Sequence, residues 1–337
     1  MSSRYKGGVI SATAPVTTTS TGIWTLAQQM QAVGGSVWPT VPGAPTIGTA
    51  TAGNANASVT FTAPAYAGYP ATITGYTVTS NPGGLTGTGA SSPITVSGLA
   101  NNTSYTFTVT ATGSSGTGAA SAASNSATPQ APPTVIGQAY GGGYYGGKID
   151  ISGTQYYLLV ADKTVGEAYQ KTWGVYGNST GANSIIDGPA NSALLAALGA
   201  SYEAATFCET LNTGGYTDWY LPAKDEIQVL YYFLKPGTDA NDTAFGSNAY
   251  AVSPQPISTN YTAGDPAQTS ATTFRTGASS QEFAVSPATG KYWTSTQYPG
   301  FTSTLVYQQR STTGGQPAQT KNSFSDMYTR AIRRVAV

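Results

Sequence analysis

The sequence predicts a mainly β, multidomain protein in which a short N-terminal helix precedes a β-sandwich and a C-terminal α+β domain. Gly, Ser and Thr are abundant, and short alternating segments are bounded by Gly, Pro or Asn, which favours strands and turns. An aromatic segment at 218–221 is followed by apolar residues at helical spacing, which predicts a strand and then a helix. The length of 337 residues suits two or three domains.

The charge distribution limits the classes of partner. Only 8% of the residues are charged, the formal net charge is zero, and residues 7–147 contain no charged side chain. Such a surface offers no electrostatic footprint for nucleic acid or anionic lipid. No apolar run approaches the roughly 20 residues of a membrane helix, and residues 1–22 lack the apolar core of a signal peptide. We expect neither a nucleic-acid partner nor membrane insertion.

Residues 1–40 are predicted to form an extended arm and a short amphipathic helix. Apolar side chains recur every three or four residues before a Gly-Gly stop, but a helix this short needs a partner for its apolar face. The pattern Trp-Thr-Leu-x-x-Gln with a later Trp-Pro resembles an N-terminal segment of phage structural proteins. The resemblance implies anchoring to other virion proteins or to a homotrimer axis; packing on the adjacent domain is the alternative. The anchoring candidates are Ile23, Trp24, Leu26, Met30 and Trp38.

Residues 42–128 are predicted to form the β-sandwich. Strand candidates lie at 58–62, 73–79, 94–96 and 105–111, with no helical segment between them. The runs Val59-Thr-Phe61 and Ile73-Thr-Gly-Tyr-Thr-Val78, with the later Leu99 and Tyr105, resemble a fibronectin type III domain, in which Leu99 and Tyr105 would form the tyrosine corner. Phe61 stands where that family usually has Trp. The resemblance implies a spacer.

Residues 129–147 are predicted to be a linker. Its first half is rich in Pro, which favours an extended joint, and its second half is the Gly- and Tyr-rich run at 141–147. The sequence leaves open whether this second half is a hinge or the first loop of the next domain.

Residues 148–337 are predicted to form the C-terminal domain around the run Gly214-Gly-Tyr-Thr-Asp-Trp-Tyr-Leu-Pro-Ala-Lys-Asp-Glu226. An Ala/Cys/Leu helix precedes this run, and Tyr292-Trp-Thr-Ser-Thr296 and the final Tyr328-Thr-Arg-Ala-Ile-Arg-Arg-Val335 follow it. In this order the segments, over roughly residues 134–337, resemble the Lcl-type domain. The resemblance implies a C-type-lectin-like fold. We expect the final arginines to hold the closing strand through carboxylate pairs, and Cys208 to be a small buried residue.

The chemistry of the side chains argues against catalysis. The chain has no His and a single Cys, which removes the usual general base and a nucleophile with a partner. A glycosidase needs two placed carboxylates, and the adjacent Asp225 and Glu226 are explained by the positive end of the helix dipole. The oxygen-rich run at 239–242 lacks EF-hand spacing. The sequence therefore predicts no enzyme, no metal site and no cofactor.

The long segment from 236 to 290 has no regular pattern, and such segments are usually functional or disordered. Tyrosine offers a large amphipathic face at low entropic cost, and its ring suits sugars as well as proteins. Most of the 23 Tyr residues are nevertheless expected in the core or on inert surface. The ligand-binding candidates are Tyr250, Tyr261, Arg275, Tyr298 and Tyr307.

Together these patterns predict a phage virion protein that is assembled in the host cytoplasm and released by lysis. The order of anchor, spacer and lectin-like tip predicts a non-enzymatic adhesin in a tail fibre or capsid fibre, a homotrimer that binds a host-surface glycan or protein. Two alternatives remain open at this point: a purely structural decoration or tail accessory protein without an external ligand, and a bacterial surface protein with an unrecognised export route.

Overall fold

The computed structural model describes residues 40–68, 72–277, 281–285, 290–322 and 325–337. The predicted anchor, with Ile23, Trp24, Leu26, Met30 and Trp38, lies outside the described residues. The chain is mainly β and divides into two compact units, Met1–Ala131 and Pro132–Val337, each of which is described by itself.

The first unit is a β-sandwich built from two antiparallel sheets. One sheet has the order β1-β2-β5 and the other β4-β3-β6-β7. The strands are β1 Thr46–Ala52, β2 Asn56–Thr62, β3 Ile73–Asn81, β4 Thr86–Gly89, β5 Ile94–Ser97, β6 Thr106–Gly113 and β7 Gly116–Thr117. The alternation that predicted four of these strands is the burial pattern along them, because every second side chain faces the shared core.

The tyrosine corner predicted for this unit is present. Leu99 and Tyr105 are 2% and 6% exposed, and the Tyr105 hydroxyl accepts a hydrogen bond from the Ala100 N–H at 3.0 Å. Phe61 packs its ring 4.7 Å from that of Tyr76, which fills the space that a larger indole would take.

Over its described residues, the second unit contains two sheets and four α-helices. One sheet has the order β16-β10-β9-β8, and the other β11-β15-β12-β13-β14, in which β12 and β15 are parallel. The strands are β8 Ala139–Tyr140, β9 Gly143–Ile151, β10 Thr154–Val160, β11 Glu167–Tyr169, β12 Lys291–Gln297, β13 Leu305–Arg310, β14 Ala318–Thr320, β15 Met327–Arg330 and β16 Ile332–Ala336. The helices are α1 Lys163–Gly166, α2 Gly188–Ala197, α3 Glu203–Glu209 and α4 Lys224–Leu234.

The Gly- and Tyr-rich run belongs to this unit and is not part of a linker. Gly143–Ile151 pairs with β10, so the predicted domain start at 148 falls inside a strand. The glycines let β9 approach α4 closely: a Cβ on Gly146 would lie 2.4 Å from Leu230, and Gly147 has φ +124° and faces Phe233. The sequence left this choice open because only the contact with α4 shows why Gly is needed.

The long segment after α4 is held by polar contacts rather than by regular structure, since a short 3₁₀ turn at Thr272–Phe274 is its sole helical element among the described residues. Lys235 is 2% exposed and donates to the backbone oxygens of Asp239 and Pro266 and to the Asn241 side chain at 2.8 Å. Asn241 in turn donates to backbone oxygens of residues 262 and 266. The segment is therefore ordered by buried side chains that reach its own backbone.

The closing strands are held as the sequence predicted. Arg330 pairs with Glu167 at 2.9 Å, Arg333 pairs with Asp218 through two bonds of 2.8 Å, and Arg334 pairs with Asp187 at 3.2 Å. Cys208 is fully buried, and burial raises the pKa of its thiol well above its usual value. No helix in the described part of the chain is long and apolar enough to cross a membrane.

Candidate functional site

The β12–β13 hairpin brings two of the predicted ligand contacts together. The rings of Tyr298 and Tyr307 lie 4.9 Å apart, and both side chains are half-buried. Lys224, the first residue of α4, places its ammonium 5.5 Å from the centre of the Tyr307 ring. Tyr298 and Tyr307 were each predicted as ligand contacts from residue type alone. The contact between their rings is a result of the hairpin.

The positive charge beside this aromatic pair is neutralised by a neighbouring carboxylate. The Lys224 ammonium contacts the Asp225 carboxylate at 2.7 Å, so the cation that faces Tyr307 carries its own counter-ion. Burial raises the pKa of Asp225, although Lys224 acts in the opposite direction. Burial and then the neighbouring Tyr298 raise the pKa of Tyr307. The aromatic pair therefore presents a neutral phenol and a neutralised ion pair.

The other three predicted contacts lie apart from this hairpin pair. Tyr261 is 3% exposed and packs against Tyr231 and Tyr232, so its ring is a core group and offers no face to a ligand. Tyr250 is half-buried on the core, and its carbonyl accepts from the Asp150 N–H. The Arg275 Nε donates to the Thr269 carbonyl at 2.8 Å, which holds the guanidinium on its own segment.

The loop of the hairpin carries an exposed aromatic side chain on a rigid backbone. Phe301 is 59% exposed, yet its own N–H donates to the Tyr298 carbonyl, and its carbonyl accepts from the N–H groups of Thr304 and Leu305. A large apolar side chain displayed on a fixed loop marks an interaction surface more strongly than one on a loose loop, because less entropy is lost on binding.

A second loop, at 174–181, lies beside the hairpin loop. The Gly177 N–H donates to the Ser303 carbonyl at 2.8 Å, and the hydroxyls of Ser179 and Thr302 are 3.0 Å apart. This loop exposes Val175 and Tyr176, with 46% and 55% of their surfaces accessible. We call Val175, Tyr176 and Phe301 the tip surface.

A buried lysine fastens the two loops together. Lys321 is 0% exposed, and its ammonium donates to the carbonyls of Asn178 at 2.5 Å and Thr302 at 2.6 Å. The same ammonium lies 4.8 Å from the Trp173 ring, and burial lowers its pKa to about 8. The Gln297 side chain also joins them, accepting from the Gly181 N–H and donating to the Thr302 carbonyl.

Val175, Tyr176 and Phe301 were not among the ligand contacts predicted from the sequence. Residues 174–181 and 298–305 are more than one hundred positions apart, and no periodicity connects them. One signal was present: both segments are rich in Gly, Ser and Thr, lack charge, and still carry aromatic residues.

Two carboxylates of the second unit contact the same arginine. The Arg334 guanidinium lies 3.2 Å from the Asp187 carboxylate and 3.7 Å from the Glu226 carboxyl group. Glu226 is completely buried, and its two oxygens accept from the Tyr220 hydroxyl and the Ala223 N–H at 2.8 Å each, so this carboxyl has no open approach. Within the described ranges, no group of three His, Cys, Asp or Glu side chains is placed to hold a metal ion.

Comparison with known families matches residues 43–127 to the model described as the fibronectin type III domain. These residues are a fibronectin type III domain. The strands of this fibronectin type III domain run from β1 to β7, so Tyr298, Tyr307 and the tip surface lie outside the match. No curated protein matches the chain.

Similar solved structures include the titin kinase with its flanking domains, at 26% identity over 26% of this chain and 17% of that one, with a TM-score of 0.23. The twitchin kinase region from C. elegans is 16% identical over 28% of this chain and 18% of that one, with a TM-score of 0.24. A structure of three titin domains is 25% identical over 27% of this chain, with a TM-score of 0.24. The chain spans at most 33% of the length of these three structures.

Proposed function

We propose that the chain is a non-enzymatic adhesin of a phage virion, part of a tail fibre or capsid fibre, that binds a host-surface glycan or protein through its C-terminal unit. The observation that carries the proposal is the β12–β13 hairpin, where Tyr298 and Tyr307 meet and Phe301 is exposed on a fixed loop. Aromatic side chains on rigid supports are the usual centres of binding surfaces.

The remaining features suit the same role. The fibronectin type III domain carries no charged residue between 43 and 127, which favours a soluble spacer without ionic partners. The resemblance of residues 134–337 to the C-type-lectin-like Lcl domain supports a recognition role, and the resemblance of residues 1–40 to phage structural proteins supports attachment to other virion proteins as a homotrimer. Assembly in the host cytoplasm and release by lysis complete the proposal.

Cell binding tests this function. The purified full chain is incubated with a panel of bacterial strains, before and after periodate oxidation of the surface polysaccharide, and bound protein is measured. We expect saturable binding to some strains, weakened by Tyr298→Ser in the C-terminal unit and unchanged by Tyr66→Ser in the fibronectin type III domain, where the tyrosine is 47% exposed.

Two results would count against this proposal. Binding that Tyr66→Ser removes and Tyr298→Ser leaves intact would place recognition in the wrong unit. No binding to any strain by folded protein would favour the purely structural virion component.

A further inference from the structure

The tip surface combines exposed apolar groups with an absence of charge. Residues 172–186 and 292–309 contain no Asp, Glu, Lys or Arg, although every charged residue after position 6 lies in the part of the chain from 148 onward. Three of the hydrogen bonds described above join these two segments, so both uncharged segments contribute to one surface.

The Lys321 ammonium lies at the junction of the two loops but is not part of the exposed surface. Lys321 is fully buried, and its ammonium donates to the carbonyls of Asn178 and Thr302. It therefore holds the two loops together and is not accessible to a partner. A charged partner would find no counter-charge on the two segments, and desolvating its charge against them would weaken binding.

The two loops carry both exposed aromatic side chains and hydroxyl groups. Phe301 and Tyr176 are aromatic and more than half exposed, and the hydroxyls of Ser179 and Thr302 lie between the loops. Sugar rings carry apolar C–H faces and hydroxyl edges, so the exposed aromatic rings and the hydroxyl groups of the same two loops offer partners for both. The amphipathic aromatic ring suits such a partner.

Hydrogen bonds within and between the two loops hold the backbone that carries this surface. Backbone bonds inside the hairpin loop, the Gly177–Ser303 bond and the Lys321 bridge hold both loops in one arrangement. A small ligand gains affinity from such a surface because few side chains or loops must be ordered on binding.

From these observations we infer that the tip surface binds an uncharged saccharide, with Phe301 and Tyr176 stacking on sugar rings and Val175 extending the apolar contact. The inference rests on the proposed binding function and adds the surface and the chemical class of the ligand. A charged glycan, a protein partner and a second copy of this chain are the competing occupants.

The test uses the full chain and saccharides of known charge. Binding is measured on an array that carries neutral gluco-, galacto- and manno-oligosaccharides beside uronic- and sialic-acid-containing oligosaccharides. We expect binding to one or more neutral saccharides, weakened at least about tenfold in the double variant Tyr176→Ser/Phe301→Ser. The matched control Ile257→Ser, also at an exposed apolar side chain, keeps full affinity because Ile257 is 56% exposed on another segment.

Each other outcome overturns the inference in a recognisable way. Binding only to acidic saccharides contradicts the neutral class. Neutral binding that survives the double variant contradicts the tip surface. Binding to cells that survives periodate yet depends on Phe301 identifies a protein partner, and Phe301-dependent dimers or trimers in light scattering identify a second copy. Survival of neutral binding in the double variant, a protein partner and a second copy would each overturn this inference alone. The proposed adhesin function is tested independently, by whether the chain binds bacterial strains.

Discussion

At the scale of single residues, the most informative group is the buried carboxyl of Glu226. Its oxygens accept from the Tyr220 hydroxyl and from the Ala223 N–H, which joins the aromatic segment 218–221 to the start of α4. This segment was predicted to be a strand, but it forms only an isolated bridge between Tyr220 and Ile332. Burial is the largest effect on this side chain and raises its pKa from 4.5 to about 7, with the hydrogen bonds and Arg334 acting in the opposite direction. The protonated form is therefore favoured by folding.

This shift predicts a pH-dependent stability. Because the folded-state pKa lies above the usual value, the stability that Glu226 contributes is full below about pH 4.5 and is lost as the pH rises through about 7. We expect the wild-type free energy of unfolding to fall by about 2 kcal/mol more than that of Glu226→Gln between pH 5 and pH 8. Urea unfolding at both pH values measures this difference.

The control for this comparison is Glu203→Gln. The Thr172 N–H lowers the pKa of Glu203, so this side chain stays ionised over the same range and its replacement leaves the pH slope unchanged. Parallel slopes for wild type and Glu226→Gln would contradict the role given to Glu226.

The sequence predicted the position of these acids but not their burial or protonation state. Asp225 and Glu226 were assigned to the first turn of α4 because acids suit a helix N-terminus, and both lie there. Their burial depends on Ile185, Tyr220 and Arg334, which reach them from other parts of the chain. Local patterns contain no information about such contacts.

At the scale of elements, the last two strands are held by three arginines of graded burial. The side chains of Arg330 and Glu167 are 0% and 7% exposed, those of Arg333 and Asp218 are 8% and 56%, and that of Arg334 is 22% exposed. Arg333 also lies over the Tyr216 ring at 3.8 Å. Breaking a buried pair leaves an uncompensated charge, whereas an exposed partner is rehydrated.

We therefore expect an ordered series of destabilisation on replacement by Met, which keeps much of the apolar stem. Arg330→Met should cost about 3–5 kcal/mol, since the buried Glu167 loses its close cation and keeps the Tyr292 hydroxyl and the Lys163 ammonium, which is 4.0 Å away. Arg333→Met should cost less, about 1–2 kcal/mol, because Asp218 is largely exposed and is rehydrated, so that the loss comes from the Tyr216 ring contact and the bond to the Gly141 carbonyl. Thermal or urea unfolding of both variants checks the order, and a greater loss for Arg333→Met would contradict it.

The segment after α4 is an element whose order the sequence did not reveal. The strands of the fibronectin type III domain were predictable because alternation is a local property of the chain. The segment from 236 to 277 is held instead by Lys235 and Asn241, whose partners lie up to 31 positions away. Local sequence patterns identify such a segment as irregular, but they contain no information on whether long-range contacts order it.

Removing the Lys235 ammonium should loosen this segment selectively. Lys235→Met leaves the carbonyls of Asp239 and Pro266 and the Asn241 side chain without their shared donor. We expect faster hydrogen exchange across residues 239–266, with exchange in β1–β7 unchanged. Lys148→Met is the control, because the Lys148 ammonium faces only the Tyr157 ring among the partners described. Equal exchange in Lys235→Met and wild type would show that the segment is held by other contacts.

At the scale of the whole molecule, the chain joins a fibronectin type III domain, in which residues 43–127 carry no charge, to a unit with charged residues, buried ion pairs and exposed aromatic groups. The mainly β, multidomain class and the fibronectin type III domain were predicted from the sequence and are confirmed. For the candidate site, the sequence identified Tyr298 and Tyr307, while Val175 and Tyr176 came from a loop that only the tertiary structure brings to the hairpin. The C-type-lectin-like and virion assignments stay predictions.

The most direct test of the binding account is hydrogen–deuterium exchange of the full chain with and without purified surface polysaccharide from a bacterial strain that the chain binds. If the chain binds polysaccharide through the hairpin loop and the loop beside it, exchange should slow at residues 174–181 and 298–305 and stay unchanged at residues 43–127. Protection confined to the fibronectin type III domain, or equal exchange in both samples at saturating polysaccharide, would contradict it.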